Sequence, residues 1–118
     1  VHGFPNFFFI VGPNVTLGHS SMVYMIETQV QAISRILQAS DERNSATVEV
    51  KLDVQREYNE GLQKLLGGSI WATGCDSWYK HRSGKITQLW PGFTFTFRRR
   101  NRNFKRSDYI FSSLQNNN

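Results

Sequence analysis

The sequence predicts an α+β chain of two main helices and a few short strands, and three observations carry that expectation. Apolar residues recur at spacings of three and four over two long stretches. Two short stretches alternate with period two, Thr47-Val48-Glu49-Val50-Lys51-Leu52 and Phe93-Thr94-Phe95-Thr96-Phe97. Turn-forming pairs punctuate the rest: Gly12-Pro13, Gly67-Gly68, Ser83-Gly84 and Pro91-Gly92.

The first element expected is a strand at residues 7–11, Phe-Phe-Phe-Ile-Val, bounded by Pro5-Asn6 and Gly12-Pro13. Five large apolar residues without alternation suit a strand covered on both faces, as in a parallel sheet. No comparable run occurs elsewhere, so its neighbours are expected from another chain, a dimer partner or upstream sequence, and the opening on Val1 fits a piece of a larger protein. A loop at 12–20 leads to a helix over 21–38, on which Met22, Met25, Ile26, Ile33, Ile36 and Leu37 share a face and Ser20 or Ser21 can cap the start. Residues 41–45 form a polar connector, and 47–52 read as a short exposed strand. Asp53 can cap a second helix with Val54, Tyr58, Leu62, Leu65 and Leu66 along one face, stopping at Gly67-Gly68. Residues 93–97 read as a strand with three phenylalanines on one side, and 108–114 as a short helix or a tail ending in disorder.

Composition narrows the function classes. At 118 residues, 39% hydrophobic and 14% aromatic, the chain is long enough for a core and too apolar for disorder. The longest apolar run is far below the roughly 20 residues of a membrane span, and the single cysteine, Cys75, suits a reducing, cytoplasmic setting. The net charge of +5 is concentrated late: residues 77–107 hold nine Lys or Arg and no acid, whereas 1–76 hold five bases and eight acids. Arginines at 98–102 beside Phe95 and Phe97 could serve single-stranded nucleic acid, but a solvated basic face and core phenylalanines explain them equally well, and that reading is disfavoured. No His, Cys, Asp or Glu spacing points to a metal, and Cys75 lacks a paired base and reads as a small packed hydrophobe.

The constellation with chemical content is the strand, turn and helix at 7–38. A sharp turn after a buried parallel strand lies where open α/β sheets bind ligands, and the following helix start offers free N–H groups. By itself this pattern is more often a plain connection.

Here the residues resemble a family. Gly3-Phe4-Pro5-Asn6-Phe7-Phe8-Phe9-Ile10-Val11-Gly12-Pro13-Asn14, then Leu17-Gly18-His19-Ser20-Ser21 and Met25-Ile26-Glu27-Thr28-Gln29, resemble flavin-dependent Baeyer–Villiger monooxygenases, nearest the 4-hydroxyacetophenone monooxygenase branch. A second block agrees in order: Trp71, Gly74-Cys75, Ser77-Trp78-Tyr79, Gly84-Lys85 and Leu89-Trp90-Pro91-Gly92. Val15-Thr16 stand where the family commonly reads Thr-Gly, and residues 80–85 depart from the loop of the better-known members.

The resemblance implies the C-terminal end of a two-dinucleotide-domain enzyme that uses FAD and NADPH to insert oxygen into ketones or oxidise heteroatoms. Residues 1–40 would be the last strand and helix of the FAD domain, and 41–118 a C-terminal extension. Gly12, Pro13, Asn14, Leu17, Gly18 and His19 would lie beside the isoalloxazine ring, and Trp78 would contact NADP. Neither dinucleotide's G-x-G-x-x-G fingerprint is present, so no catalytic residue is assigned and the chain alone is expected to be inactive and to hold neither cofactor tightly. Its expected partners are the N-terminal dinucleotide-binding domains; the alternative is a non-catalytic module that self-associates through exposed apolar faces.

Overall fold

The computed structural model describes residues 1–17, 20–73 and 77–113; Gly18, His19 and Cys75 therefore lie outside the described residues. Among those described, the fold is α+β, with three α-helices and one two-stranded sheet. The order is α1 (Met22–Asp41), β1 (Thr47–Val50), α2 (Leu52–Gly67), α3 (Thr94–Arg102), a 3-10 turn (Arg106–Asp108) and β2 (Tyr109–Ser112).

The two expected helices form where periodicity put them. The Ser21 side chain accepts the Tyr24 N–H at α1's start, and Met25, Ile36 and Ala39 are buried along its inner face. The helix runs three residues beyond the expected end, because nothing in Ala39-Ser40-Asp41 opposes it and Glu42 still donates to the Gln38 carbonyl. In α2 the cap position falls on Lys51 rather than Asp53, which instead sits in the first turn where a carboxylate favours the helix dipole. Only Leu62 and Leu66 of its apolar stripe are fully buried; Leu65 is exposed, and Tyr58 is partly covered, with 36% of its surface in solvent.

The strand expected at 47–52 forms as β1, antiparallel to β2 in a register running from Thr47 opposite Ser112 to Val50 opposite Tyr109. Val48 is buried rather than exposed. The other edge of β1 is closed by Asn6: its N–H donates to the Val48 carbonyl at 3.0 Å. Its side-chain oxygen accepts the Val48 N–H at 2.9 Å, and its amide nitrogen donates to the Ala46 carbonyl at 3.0 Å. Asn6 does this at φ 58°, a conformation asparagine tolerates better than most residues.

Three expectations are corrected. Residues 7–11 are not a strand here: 7–9 are irregular and 10–11 bend, and Phe7, Phe9, Ile10 and Val11 are exposed. A strand is held by lateral hydrogen bonds, and the sheet that would supply them is not within these residues. Val11 instead adopts φ 56°, a strained setting for a β-branched side chain, with its N–H on the Gln29 side-chain oxygen. Residues 94–97 open α3, with Phe93 at its N-cap, rather than forming a strand, so Phe97 is buried while Phe93 and Phe95 are exposed and stacked on each other, 5.5 Å between ring centroids. The buried Phe97 meets the Trp90 ring edge-on at 5.0 Å. The segment expected as helix or tail at 108–114 supplies β2.

Arginines from the basic stretch fasten α3 to its neighbours. Arg98 lies over the Tyr24 ring of α1 and Arg100 over the Tyr58 ring of α2, 4.4 Å from its centroid. Arg106 pairs with Glu42 just past α1. The whole chain nevertheless exposes 8278 Å², against the roughly 6600 Å² usual for a folded monomer of this mass. Its radius of gyration is 16.2 Å, where a compact domain of this length has about 13.5 Å.

Two outcomes follow from these contacts. Phe97→Ala is expected to lose about 3–5 kcal/mol in urea unfolding, while Phe95→Ala changes stability by no more than about 0.5 kcal/mol; equal losses would restore the strand. Burial pushes the Tyr58 hydroxyl above 10.0, opposed by Arg100, and burial then Asp108 push Tyr109 up likewise. Both phenols are thus held neutral by folding, so stability is intact below pH 10 and falls as pH rises beyond it. In alkaline unfolding curves Tyr58→Phe and Tyr109→Phe should each flatten that fall.

Candidate functional site

The turn at 12–17 is fastened to a distant part of the chain, residues 86–90. The Asn14 N–H donates to the Thr87 carbonyl at 2.9 Å, the Thr16 N–H to the Gln88 carbonyl at 2.9 Å, and the Trp90 N–H to the Thr16 carbonyl at 3.0 Å. The last two make a parallel bridge between Thr16 and Leu89. The Asn14 side-chain nitrogen donates to both the Ile86 carbonyl, at 2.9 Å, and the Leu89 carbonyl, at 3.0 Å. Asn14 is buried, at φ 57°.

Apolar packing reinforces the seam. Val15 is buried in one core cluster with Met25, Leu62, Trp90 and Phe97, against which Leu17 and Met22 also pack. Ile86 and Leu89 are buried in a second cluster with Leu66, flanked by Trp71 and Tyr79. The residues that depart from the family pattern thus have structural work here, Val15 in the core and Thr16 in the bridge. From the other side Gln63 of α2 grips Ile86, donating to its carbonyl at 2.8 Å and accepting its N–H at 3.1 Å.

Residues 79–87 fold back as a hairpin. Lys80 bridges Ile86 in antiparallel fashion, the Thr87 N–H reaches the Tyr79 carbonyl at 3.1 Å, and the His81 N–H reaches the Lys85 carbonyl at 2.8 Å. At its base Trp78 is 75% exposed, edge-on to Tyr79, which in turn meets Trp71 edge-on. Of the sequence-predicted site residues, Gly12, Pro13, Asn14 and Leu17 share the turn and Trp78 lies on the hairpin tied to it. Gly18 and His19 fall outside the described residues. Sequence reasoning missed Gln63, which looks like any polar residue on a helix surface.

The residues do not make a cradle for a dinucleotide's phosphates. A dinucleotide phosphate site needs glycines that let backbone approach the ligand. Gly12 answers a different demand, since a Cβ there would sit 2.5 Å from the Phe9 Cβ. In the turn Pro13 is exposed while Leu17 packs against the core, and the first turn of α1 has N–H groups without intrahelical acceptors. A groove of about 740 Å³ lies elsewhere, between Ile33, Val54, Tyr58 and Phe104, and none of the predicted site residues lines it. Among the described residues no cluster of His, Cys, Asp and Glu could hold a metal, and no helix is long and apolar enough to cross a membrane. Of the two rings that could stack on bases, Phe97 is inside the core and Phe95 stays exposed against Phe93.

The fold matches part of a solved structure: it superposes on an oxidised steroid monooxygenase bound to NADP with a TM-score of 0.81, at 20% identity, over 96% of this chain and 22% of that one. In sequence the chain resembles, more narrowly, the C-terminal region of Baeyer–Villiger monooxygenases. It is 50% identical over 109 residues to a Baeyer–Villiger monooxygenase of Pseudomonas aeruginosa and 38% identical over 109 residues to one of Streptomyces coelicolor. Each match takes in 91% of this chain and 21% of the relative. An FAD-binding monooxygenase of Aspergillus niger is 34% identical over 115 residues, 93% of this chain and 19% of that protein. The chain thus spans about a fifth of the length of the curated relatives it matches. No family model matches it.

The grip of Gln63 gives a direct check on the seam. Gln63→Ala removes both bonds to Ile86 and is expected to cost about 1–3 kcal/mol in urea unfolding. Gln63→Glu turns a carboxylate toward the Ile86 carbonyl and favours the protonated acid in the fold. It should be destabilised at pH 7 and recover part of the loss below about pH 4, where the acid again donates.

Proposed function

We propose that this chain is the closing segment of an FAD- and NADPH-dependent monooxygenase and is inactive without the dinucleotide-binding domains that precede it in such enzymes. The observation that carries the proposal is the 50% identity to a Baeyer–Villiger monooxygenase, sustained over 91% of this chain but only 21% of that protein. In this reading residues 1–40 complete the FAD domain, with 7–11 as its last strand, and 41–118 form the C-terminal extension. The apolar side chains left exposed at Phe7, Phe9, Ile10 and Val11 support it, since a neighbouring strand and covering layers would remove them from water.

Within the complete enzyme the residues of this chain would position and exclude rather than react. Gly12, Pro13, Leu17, Gly18 and His19 would form the wall beside the flavin ring, with Asn14 buried behind it to hold the turn and the start of α1 favouring negative charge on the ring's carbonyl edge. Trp78, exposed at the hairpin base, would face the nicotinamide. FAD, bound mainly by upstream sequence, would supply reduction by NADPH and activation of oxygen for insertion into a ketone or transfer to a heteroatom.

A chimera tests this. Placing this chain in the P. aeruginosa relative, in exchange for the matching stretch, should leave near-stoichiometric flavin absorbance and NADPH-dependent oxygen uptake with a ketone. The chain alone, mixed with FAD and freed of unbound ligand, should be colourless. A flavin band retained by the isolated chain would contradict an upstream phosphate site, and a folded chimera without flavin would contradict the proposed wall.

A further inference from the structure

We propose that Asn14 is a positioning residue, a latch that holds the hairpin bearing Trp78 in fixed register against the turn at the start of α1. The cofactor identities of the two segments rest on the proposed function above, whereas the latch rests on geometry alone.

The chemistry of the site selects asparagine. Two carbonyl oxygens, of Ile86 and Leu89, converge on one side-chain nitrogen at 2.9 and 3.0 Å, and a primary amide has one hydrogen for each. An aspartate would oppose both oxygens, and an apolar residue would take the Asn14 donor from the Leu89 carbonyl and leave Gln63 on that of Ile86. The backbone at φ 57° further restricts the position to residues that accept the left-handed region, of which asparagine is the best that carries an amide. Both hydrogens of the amide nitrogen are engaged within the chain, so that nitrogen would serve a cofactor site by holding other groups in place.

The path from latch to Trp78 is short and covalently continuous. Ile86 is the residue bridged to Lys80, and Thr87, whose carbonyl accepts the Asn14 N–H, donates in turn to the Tyr79 carbonyl. Tyr79 is packed edge-on against Trp78. Removing the Asn14 side chain would therefore loosen the returning arm of the hairpin from the turn, leaving the residue-14 N–H on the Thr87 carbonyl, Gln63 and the Thr16 bridge as its remaining polar ties.

Asn14→Gly tests the side chain alone, because glycine accepts φ 57° without strain. In the isolated chain, exchange of the Thr16, Thr87 and Trp90 amides should speed by at least about tenfold. Tryptic cleavage after Lys80, Arg82 and Lys85 should rise with it, while amides of β1 and central α1 keep their protection. Equal loss of protection everywhere, or an unchanged hairpin, overturns the latch. In the chimera, Asn14→Gly should raise KM for NADPH severalfold and lower kcat less, with flavin content unchanged. Lost flavin without faster hairpin exchange makes Asn14 a flavin contact and overturns the proposal. Faster hairpin exchange with unchanged KM keeps the latch and overturns the assignment of Trp78's segment to the nicotinamide. If Asn14→Gly does not fold, Asn14→Ser, which keeps a donor for one carbonyl, is measured in the same way.

Discussion

The carbonyl of Ile86 accepts hydrogen bonds from two side chains that are remote in sequence, Asn14 from the turn and Gln63 from α2. That convergence joins three parts of the chain that share no regular sheet. The turn brings Val15 and Leu17 into the core beneath it, and residues 86–90 bring Leu89 and Trp90. Trp90 then seats Phe97, and with it α3. Polar bonds fix the register, and apolar burial supplies the larger share of the free energy.

How much of this was legible depended on whether a signal was local. The faces of α1 and α2 were readable because helical hydrogen bonding is internal to the segment, so period 3.6 in apolar residues suffices. The alternating residues of β1 were readable as a strand, but not the burial of Val48, which depends on what the fold lays over it. Phe93-Thr94-Phe95-Thr96-Phe97 misled because its alternation is formally that of a strand. In α3 the side chains at 93 and 97 are about one turn apart, and only the second meets the core. At residues 7–11 the composition was that of a buried strand, but strand formation is a property of a pair.

The candidate site divides in the same way. The positions of the turn and of Trp78 came from resemblance, and the structure brings the two segments together through the 86–90 seam. The chemistry of Asn14 was not readable at all, since a sequence shows an amide but not the two carbonyls at which it ends. Gln63 was hidden for the same reason. Its partners are backbone groups 23 residues away, which leave no mark in side-chain pattern.

The basic stretch illustrates how a charge run can be partitioned. Arg98 and Arg100 lie over tyrosine rings of α1 and α2, and Arg106 pairs with Glu42, so three of its cations hold α3 and the sheet end against the helices. Those contacts are partly exposed and individually modest. Residues 7–11 are not closed off in this way: Phe7, Phe9, Ile10 and Val11 face solvent, and Phe7, Phe8 and Phe9 line one groove with Tyr58 and Arg100. The chain thus ties its helices together with its own charges and aromatics, yet leaves at 7–11 apolar surface of the kind that a neighbouring layer would cover. The turn held by Asn14 follows directly, so layers added over residues 7–11 would bear, through that turn, on the geometry of the hairpin.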